Sequence, residues 1–285
     1  MALYEEKHSL KETLDRLRQL RESNERKSKE VLSYYFPTLP DNIKNNNERL
    51  LVLEQELYAA LDCHDYDIAQ YIILSLSQEF PGSMRVMRHQ AALLEAEEKY
   101  DEAQNILKRI ITADETNAAA RKRRITILKA QGLRAEAITE LVDYLKKFMS
   151  DAEAWQELCD LYLWSGEYAR AAVCAEELLL QAPHAHLAHQ RLADIRYTMG
   201  GVENLELAKS YYCHSLKLNP DNMRSLLGLF LTTNSLLNSY KSSGNSGKRK
   251  EVWRLCQWAQ AQAAARQRPA PAPLTDMMLQ LAIAD

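Results

Sequence analysis

The chain has 285 residues, of which 46% are hydrophobic and 26% are charged, and its formal net charge is −3. This slightly acidic balance argues against a protein that neutralises nucleic-acid phosphates through bulk positive charge. The five cysteines are odd in number and form no C-x-x-C pair, which argues against a disulfide framework and predicts free thiols in a reducing compartment.

Residues 1–49 are predicted to form helices that cap the rest of the chain. From Leu3 to about Glu22, leucines recur at helical spacing on one face, and a weaker second helix is stopped by Phe36–Pro40. Charges are mixed throughout this segment, so we expect no secretory signal. The longest uncharged run, Ser225–Tyr240, is too polar and too short for the ~20 apolar residues that a membrane-spanning helix needs.

Residues 50–222 are predicted to form five tetratricopeptide-type repeats, each a pair of antiparallel helices. Four alanines recur every 34 residues, at the place where the second helix of such a repeat crosses the first most closely. Only a small side chain fits at this crossing, so the spacing marks equivalent positions. The repeats start near Leu50, Met84, Ala118, Ala152 and His186, and the residues assigned to repeat packing are Ala69, Ala103, Ala137, Trp155, Ala171 and Ala208.

The fifth repeat departs from this spacing. Ala208 lies 37 residues after Ala171, whereas Gly200 lies 34 residues after Gly166. We therefore predict a three-residue insertion in the turn between the two helices of this repeat, within Gly200–Glu206.

Residues 223–268 are predicted to form a degenerate sixth repeat and a capping helix. Gly and Ser favour a polar loop over Ser242–Lys250, followed by a long helix from about Glu251 to Gln267. Residues 269–285 are predicted to form a Pro-rich spacer and a short tail helix. The predicted fold class is therefore all-α, a right-handed tetratricopeptide-repeat solenoid of helical hairpins with helical caps at both ends.

The first helices of the stacked repeats are expected to line a concave groove, with repeat positions 2, 5, 9 and 12 facing a bound partner. One end of this groove is predicted to be basic and the next acidic, which would orient an extended, charged segment. The alternative is that these charges are solvated and paired with each other. The candidate partner-binding residues are Arg85, Arg88, Lys122, Lys129, Glu153, Asp160, Asp194 and Tyr197; the other groove positions are Ala92, Glu95, Ala119, Thr126, Gln156, Leu163, Leu187 and Gln190.

No catalytic, cofactor or metal site is predicted, and the chain is not expected to be an enzyme. Gly244–Lys248 lacks the glycine spacing and the preceding strand of a phosphate loop. His184, His186 and His189 stand at a helix start, but a metal site needs four converging ligands, so packing roles are favoured. A clamp for the acidic tail of a chaperone is disfavoured because acidic residues such as Glu153 stand where cations are required.

Five strings narrow the repeat class further: FPGSMRV (Phe80–Val86), TNAAARKR (Thr116–Arg123), DAEAWQEL (Asp151–Leu158), YTMGGVENLELAKSYY (Tyr197–Tyr212) and LNPDNMRSLLGL (Leu218–Leu229). They closely resemble the second subunit of the endoplasmic reticulum membrane protein complex. The inserted GGVENLE turn is discriminating, because ordinary tetratricopeptide units lack it. The resemblance covers about Leu50–Leu229.

This resemblance implies a peripheral subunit on the cytoplasmic face of the endoplasmic reticulum membrane. It implies a scaffold that bridges membrane-embedded subunits and a cytosolic subunit of a complex that inserts tail-anchored and multi-pass membrane proteins. By the same resemblance, the cytosolic tail of a small membrane subunit lies in the groove, and we assign to it Arg88, Lys122, Lys129, Glu153, Asp160 and Asp194. Neither nucleic acid nor a direct membrane span is expected. The alternative is an independent cytosolic tetratricopeptide adaptor or co-chaperone.

Overall fold

The computed structural model describes residues 10–34, 43–243 and 246–266, which form fourteen α-helices and contain no strand. The helices are α1 Leu10–Glu22, α2 Ser28–Ser33, α3 Asn46–Asp62, α4 Tyr66–Glu79, α5 Met84–Ala96, α6 Tyr100–Ala113, α7 Ala118–Ala130, α8 Arg134–Lys147, α9 Ala152–Trp164, α10 Tyr168–Gln181, α11 His186–Met199, α12 Val202–Leu218, α13 Met223–Ser243 and α14 Ser246–Arg266. The prediction of an all-α chain is confirmed.

The chain divides into two compact units, Met1–Leu133 and Arg134–Asp285, which we call the N-terminal unit and the C-terminal unit. The N-terminal unit contains α1 to α7, and the C-terminal unit contains α8 to α14. Within each unit, helices that follow one another in the chain pack together from α2 onwards. The boundary falls between the two helices of the repeat predicted to start near Ala118, a division that the 34-residue spacing does not indicate.

A fully buried alanine recurs in alternate helices. In α4, α6, α8 and α10 it is the fourth residue of the helix, and the four alanines, Ala69, Ala103, Ala137 and Ala171, all have 0% exposure. At one of these positions the backbone approach is visible directly, because the Cys159 Sγ on α9 lies 3.5 Å from the carbonyl oxygen of Ala171 on α10. A longer side chain at such a position would hold the two helices apart.

The three extra residues of the fifth repeat lie in a helix. α12 has 17 residues, against 14 for α4, α6, α8 and α10, and its buried alanine, Ala208, is the seventh residue. Only Gly200 and Gly201 separate α11 from α12. The prediction of a longer turn is therefore wrong: the insertion adds almost one turn to the start of the second helix.

The turns between paired helices share one backbone conformation. Five residues spaced by 34, in each case one or two residues past a helix end, have positive φ angles of 61°, 62°, 77°, 74° and 70° in chain order, and they are His64, Glu98, Gly132, Gly166 and Gly200. At the first four, the next residue donates its N–H to a carbonyl five residues back, at 2.8 to 2.9 Å. This bond closes a Schellman motif, which satisfies carbonyls at the helix end.

Polar side chains fix where three of the helices that open a repeat begin. Asn117 accepts from the N–H of Ala120 at 3.1 Å, and Asp151 accepts from the N–H of Ala154 at the same distance. Asn222 accepts from the N–H of Ser225 at 3.1 Å at the start of α13. Each bond satisfies a backbone donor that the first turn of a helix leaves without an intrahelical partner.

The amino-terminal helices cover one face of α3. Leu17 and Leu20 of α1, Val31 of α2, and Ile43 form a buried cluster with Val52 and Ala59 of α3. Arg21 and the Leu17 carbonyl bond to the side chain of Gln55, which ties α1 to α3. Leu3 and the Phe36–Pro40 stop lie outside the described residues.

A carboxyl group is buried at the same face of α3. Glu56 follows Val52 by four residues and precedes Ala59 by three, so it points toward the same side of the helix. Its side chain has 0% exposure, and neither carboxyl oxygen has a hydrogen-bond partner among the described residues. Burial raises the pKa of Glu56 to about 8, because an apolar surrounding disfavours the charged form.

The carboxy-terminal hairpin is more helical than its composition predicts. α13 continues to Ser243 and α14 begins at Ser246, so most of the loop expected over Ser242–Lys250 is helix. Leu236, Tyr240, Val252, Cys256 and Ala259 are buried in the core that these two helices share with α12. The apolar contact overrides the weak helix preference of Gly and Ser. The Pro-rich spacer and tail helix lie beyond the described residues.

Replacing Gly166 by alanine is expected to destabilise the protein by about 1 kcal/mol. The added Cβ would meet no atom within 4 Å, so the cost arises from the φ angle of 74° alone. Glu98→Gly relieves the same conformation and is expected to stabilise the protein. Urea unfolding measures both changes.

Gly247→Ala is the control for the φ angle. Gly247 also has open space around it, but it lies in α14 without a positive φ, so the alanine should stabilise the protein. Equal effects at Gly166 and Gly247 would contradict the claim that the positive φ causes the destabilisation.

Glu56→Gln is expected to change how stability depends on pH. With a folded-state pKa of about 8 and an ordinary value of 4.5, Glu56 is protonated in both states at low pH, and the unfolded state loses its proton first as the pH rises. The wild type should therefore lose about 1.4 kcal/mol per pH unit between these values, relative to the variant. Urea unfolding at pH 5 and pH 8 tests this, with exposed Glu102→Gln as the control. A constant difference between wild type and Glu56→Gln would contradict it.

Candidate partner-binding site

The inner helices of the C-terminal unit line an open cavity of about 680 Å³. It lies between α9 and α11, with the end of α10 and Arg224 of α13 completing its wall. Six of the eight groove positions predicted on α9 and α11 line it: Gln156, Asp160, Leu163, Leu187, Gln190 and Asp194. The repeat positions chosen from the sequence therefore converge on one concave surface within this unit.

Both candidate carboxylates in this cavity are already paired with arginines. Asp160 on α9 accepts a short hydrogen bond from Arg191 on α11. Asp194 on α11 accepts from the Arg224 Nε on α13 at 3.0 Å. Both pairs are partly exposed, so they contribute little to stability and chiefly hold the side chains in place. The two carboxylates therefore have charged partners, although these are arginines outside the predicted groove positions.

A buried tyrosine also holds Asp194 in place. Tyr212 of α12, which is 2% exposed, donates its hydroxyl proton to the second oxygen of Asp194. Burial and the acceptor Asp194 both raise the pKa of this phenol, so it remains a donor at physiological pH. Gly228 of α13 makes room for the ring, since a Cβ there would come within 2.4 Å of the Tyr212 Cζ.

The remaining two candidates of this unit lie elsewhere. Glu153 is exposed near the start of α9 and is not part of the cavity wall. Tyr197, near the end of α11, is half-buried and packs against the core that α11 shares with α12, α13 and α14. Trp155, assigned to repeat packing, is half-buried on α9 and donates its Nε1–H to the carbonyl of Met149 at 2.8 Å.

The N-terminal unit has a smaller cavity of about 410 Å³ beside Arg85. Arg85 of α5 forms a two-point ion pair with Glu54 of α3, and the same carboxylate lies 3.0 Å from the His89 Nε2. Tyr58 extends this hydrogen-bonded series, since its hydroxyl lies 3.4 Å from the His89 Nδ1. Burial lowers the pKa of His89 against the opposing pull of Glu54. Leu51 and Phe80 give this cavity apolar, exposed walls.

The other basic candidates of the N-terminal unit do not line this cavity. Arg88, on α5, is half-buried and forms no ion pair with another described residue. Lys122 is half-buried and Lys129 is exposed, both on α7. The structure thus brings Asp160 and Asp194 to one cavity and Arg85 to another.

The groove positions predicted from the sequence include Arg85, the partner of Glu54, but not Arg191 and Arg224, the partners of Asp160 and Asp194. Glu54–Arg85 and Asp160–Arg191 are separated by 31 residues, and Asp194–Arg224 by 30. Each pair joins two successive inner helices. The first two pairs are three residues short of the 34-residue repeat, and the third is seven short of the 37 residues that separate the starts of α11 and α13. An acid followed by an arginine at this separation is a sequence signal that reading each helix alone does not use.

The histidines near the start of α11 serve as structural polar groups. His186 lies 3.1 Å from the Asn222 Nδ2 and 3.2 Å from the Asn219 Nδ2, which links α11 to the start of α13. The Nε2 of His189 lies 2.9 Å from the carbonyl oxygen of Pro183. Across the described ranges no group of three or more His, Cys, Asp or Glu side chains is arranged to hold a metal ion. Nor does any helix in these ranges combine the length and apolarity needed to cross a bilayer.

Comparison with solved structures supports the repeat fold. The C-terminal part of a TPR repeat-containing protein from Cytophaga hutchinsonii superposes with a TM-score of 0.57, over 95% of this chain and 94% of that one, at 12% identity. Such low identity shows the fold alone. The tetratricopeptide-type architecture predicted from the alanine spacing is therefore confirmed.

Comparison with known sequences supports a narrower relationship. Residues 67–206 match the family described as EMC2 TPR-like repeat domain. ER membrane protein complex subunit 2 of Xenopus tropicalis is 41% identical over 94% of this chain and 90% of its own length. The protein of the same name from Dictyostelium discoideum is 33% identical over 86% of this chain and 79% of its own length. The chain therefore belongs to the family of ER membrane protein complex subunit 2.

Proposed function

We propose that this chain is a non-enzymatic scaffold subunit of the ER membrane protein complex, on the cytoplasmic face of the membrane. In this role it bridges membrane-embedded subunits and a cytosolic subunit of a complex that inserts tail-anchored and multi-pass proteins. The observation that carries the proposal is membership of the subunit 2 family over almost the whole chain. A stack of helical hairpins suits this role, because such repeats offer extended surfaces to other polypeptides.

The partner segment proposed for the C-terminal unit is the cytosolic tail of a small membrane subunit, lying in the 680 Å³ cavity. The cavity offers apolar contact at Leu163 and Leu187, and amide groups at Gln156 and Gln190 that can pair with a peptide backbone. Because Asp160 and Asp194 are paired with arginines, the wall presents neighbouring positive and negative charges instead of a uniform negative surface. An extended segment with alternating apolar and polar side chains fits this surface.

In the N-terminal unit, we assign partner contact to Arg85, Arg88, Lys122 and Lys129 on α5 and α7. Arg85 remains 63% exposed while paired with Glu54, so one side of its guanidinium stays accessible. A partner carboxylate there would share the arginine with Glu54, and contact with Leu51 and Phe80 would add apolar burial.

Leu187→Glu is expected to loosen the association with membrane subunits while leaving the helices intact. Leu187 is 61% exposed in the cavity wall, so the change costs the fold little but places an unpaired charge against the partner. Lys122→Glu combined with Lys129→Glu is expected to act in the same direction in the N-terminal unit. Affinity purification of the tagged full chain from detergent-solubilised membranes, followed by mass spectrometry, measures the recovered subunits, and circular dichroism measures helicity.

Leu180→Glu is the matched control, because Leu180 is 75% exposed on α10 but does not line the cavity. It should recover the same subunits as the wild type. If Leu187→Glu and Leu180→Glu recover equal amounts of membrane subunits, the cavity is not part of the interface. Recovery of the wild-type chain without any membrane subunit would instead favour an independent cytosolic adaptor.

A further inference from the structure

The hairpin of α13 and α14 carries positive charge that other residues balance only in part. Of the cations near its closed end, Lys248 interacts electrostatically with the carboxylate of Glu206 on α12. Arg224 and Arg266, near its open end, pair with Asp194 and Asp221. The cations near its closed end form no ion pair or side-chain hydrogen bond with any described residue, and these are Lys241, Lys248, Arg249, Lys250 and Arg254. Between residues 241 and 254 the only acidic residue is Glu251, in a chain whose net charge is −3.

Folding does not account for these cations. Lys248, Arg249 and Lys250 stand in or next to the first turn of α14, which has no acidic residue. The amino-terminal end of a helix is its positive end, so cations there lower the stability of the helix. A charge pattern that works against its own helix points to a requirement outside the fold.

Two of these cations lie on one face of α14 together with an exposed tryptophan. Lys250, Arg254 and Trp258 are spaced by four, so they form one stripe about 12 Å long on α14. Lys250 and Arg254 are exposed, and Trp258 is 46% exposed although it is one of the largest apolar side chains. Val252 and Cys256 face the core on the other side of the helix. The stripe therefore faces solvent.

We propose that this stripe, which we call the α14 stripe, docks on the surface of a bilayer that contains anionic phospholipids. Cations next to such a surface gain electrostatic energy from the lipid phosphates and carboxylates. An exposed tryptophan favours the boundary between headgroups and hydrocarbon, because its ring is apolar and its N–H is polar. With both on one face, α14 lies along the surface without crossing it.

An acidic protein partner is the competing occupant, and it fits less well. It would have to offer an apolar site for Trp258 next to acidic residues for Lys250 and Arg254, whereas a bilayer presents anionic headgroups and hydrocarbon side by side. The stripe also lies outside the 680 Å³ cavity, since none of its three residues lines that wall. The inference goes beyond the proposed scaffold role and does not rest on it, because lipid contact belongs to the isolated chain.

Flotation of the purified full chain with phospholipid vesicles tests the proposal. The wild type should float with vesicles of phosphatidylcholine containing phosphatidylserine, and far less with phosphatidylcholine alone. Each cation near an anionic surface contributes a factor of about five, so Lys250→Gln with Arg254→Gln should weaken partitioning about thirty-fold. Trp258→Ser should weaken it several-fold without changing the net charge.

Lys108→Gln with Arg109→Gln is the matched control, because both residues are exposed on α6 and the change in net charge is the same. This control should float like the wild type. The proposal is overturned if the wild type fails to float with anionic vesicles, or if the control loses as much binding as the α14 variant. Circular dichroism of each variant excludes loss of helix as the cause.

Discussion

The structure depends on a close crossing that leaves room for one methyl group. At Ala171 the backbone of α10 lies within hydrogen-bonding distance of the Cys159 thiol on α9, and the equivalent alanines at 34-residue intervals are as completely buried. A close crossing sets the angle at which each hairpin closes, and the residue with positive φ in the turn sets where the second helix starts. With both fixed, each pair of helices presents the same face to the next pair in its unit.

The ion pairs between inner helices follow from this spacing. Inner helices start 34 residues apart from α5 to α11 and 37 apart between α11 and α13. In each pair the acidic side chain reaches an arginine 30 or 31 residues further along the chain, which lies earlier in the next inner helix. Glu54–Arg85, Asp160–Arg191 and Asp194–Arg224 all join inner helices in this way. Residues beneath the cavity wall hold these side chains in place. The hydroxyl of Tyr212 on α12 donates to Asp194 on α11, and Gly228 on α13 leaves space for the tyrosine ring. The concave surface is thus built from the core outwards.

The sequence predicts the parts of this fold that depend on one residue's size or shape. The alanine spacing gives the helix pairs, and the glycines at 132, 166 and 200 mark three of the five turns. His64 and Glu98 adopt the same conformation without glycine, so nothing in their identity reveals the turn. The displaced Ala208 shows that three residues were added, but it does not tell whether a turn or a helix contains them; packing within the unit extends α12.

The candidate site is harder to predict because it depends on pairs of helices. Asp160 and Asp194, which their repeat positions select, line one cavity, but the selected positions do not include Arg191 and Arg224, which reach them from the next helix. The loop expected over Ser242–Lys250 fails for a related reason. Gly and Ser have low helix propensity, but burial of Tyr240, Val252 and Cys256 between two long helices outweighs it.

The contrast between paired and unpaired charge separates two kinds of surface on this chain. In the concave cavity, every candidate acid that lines the wall has an arginine partner within the same unit. A partner there gains little from net charge, so recognition must come from shape, apolar contact and backbone hydrogen bonds, which favour one defined segment. On α14, Lys250 and Arg254 have no such partners among the described residues, and their charge acts at longer range on an anionic surface. The two surfaces therefore differ in range: the cavity can act only on a segment in direct contact with it, whereas the charge of the α14 stripe acts over a distance set by salt screening.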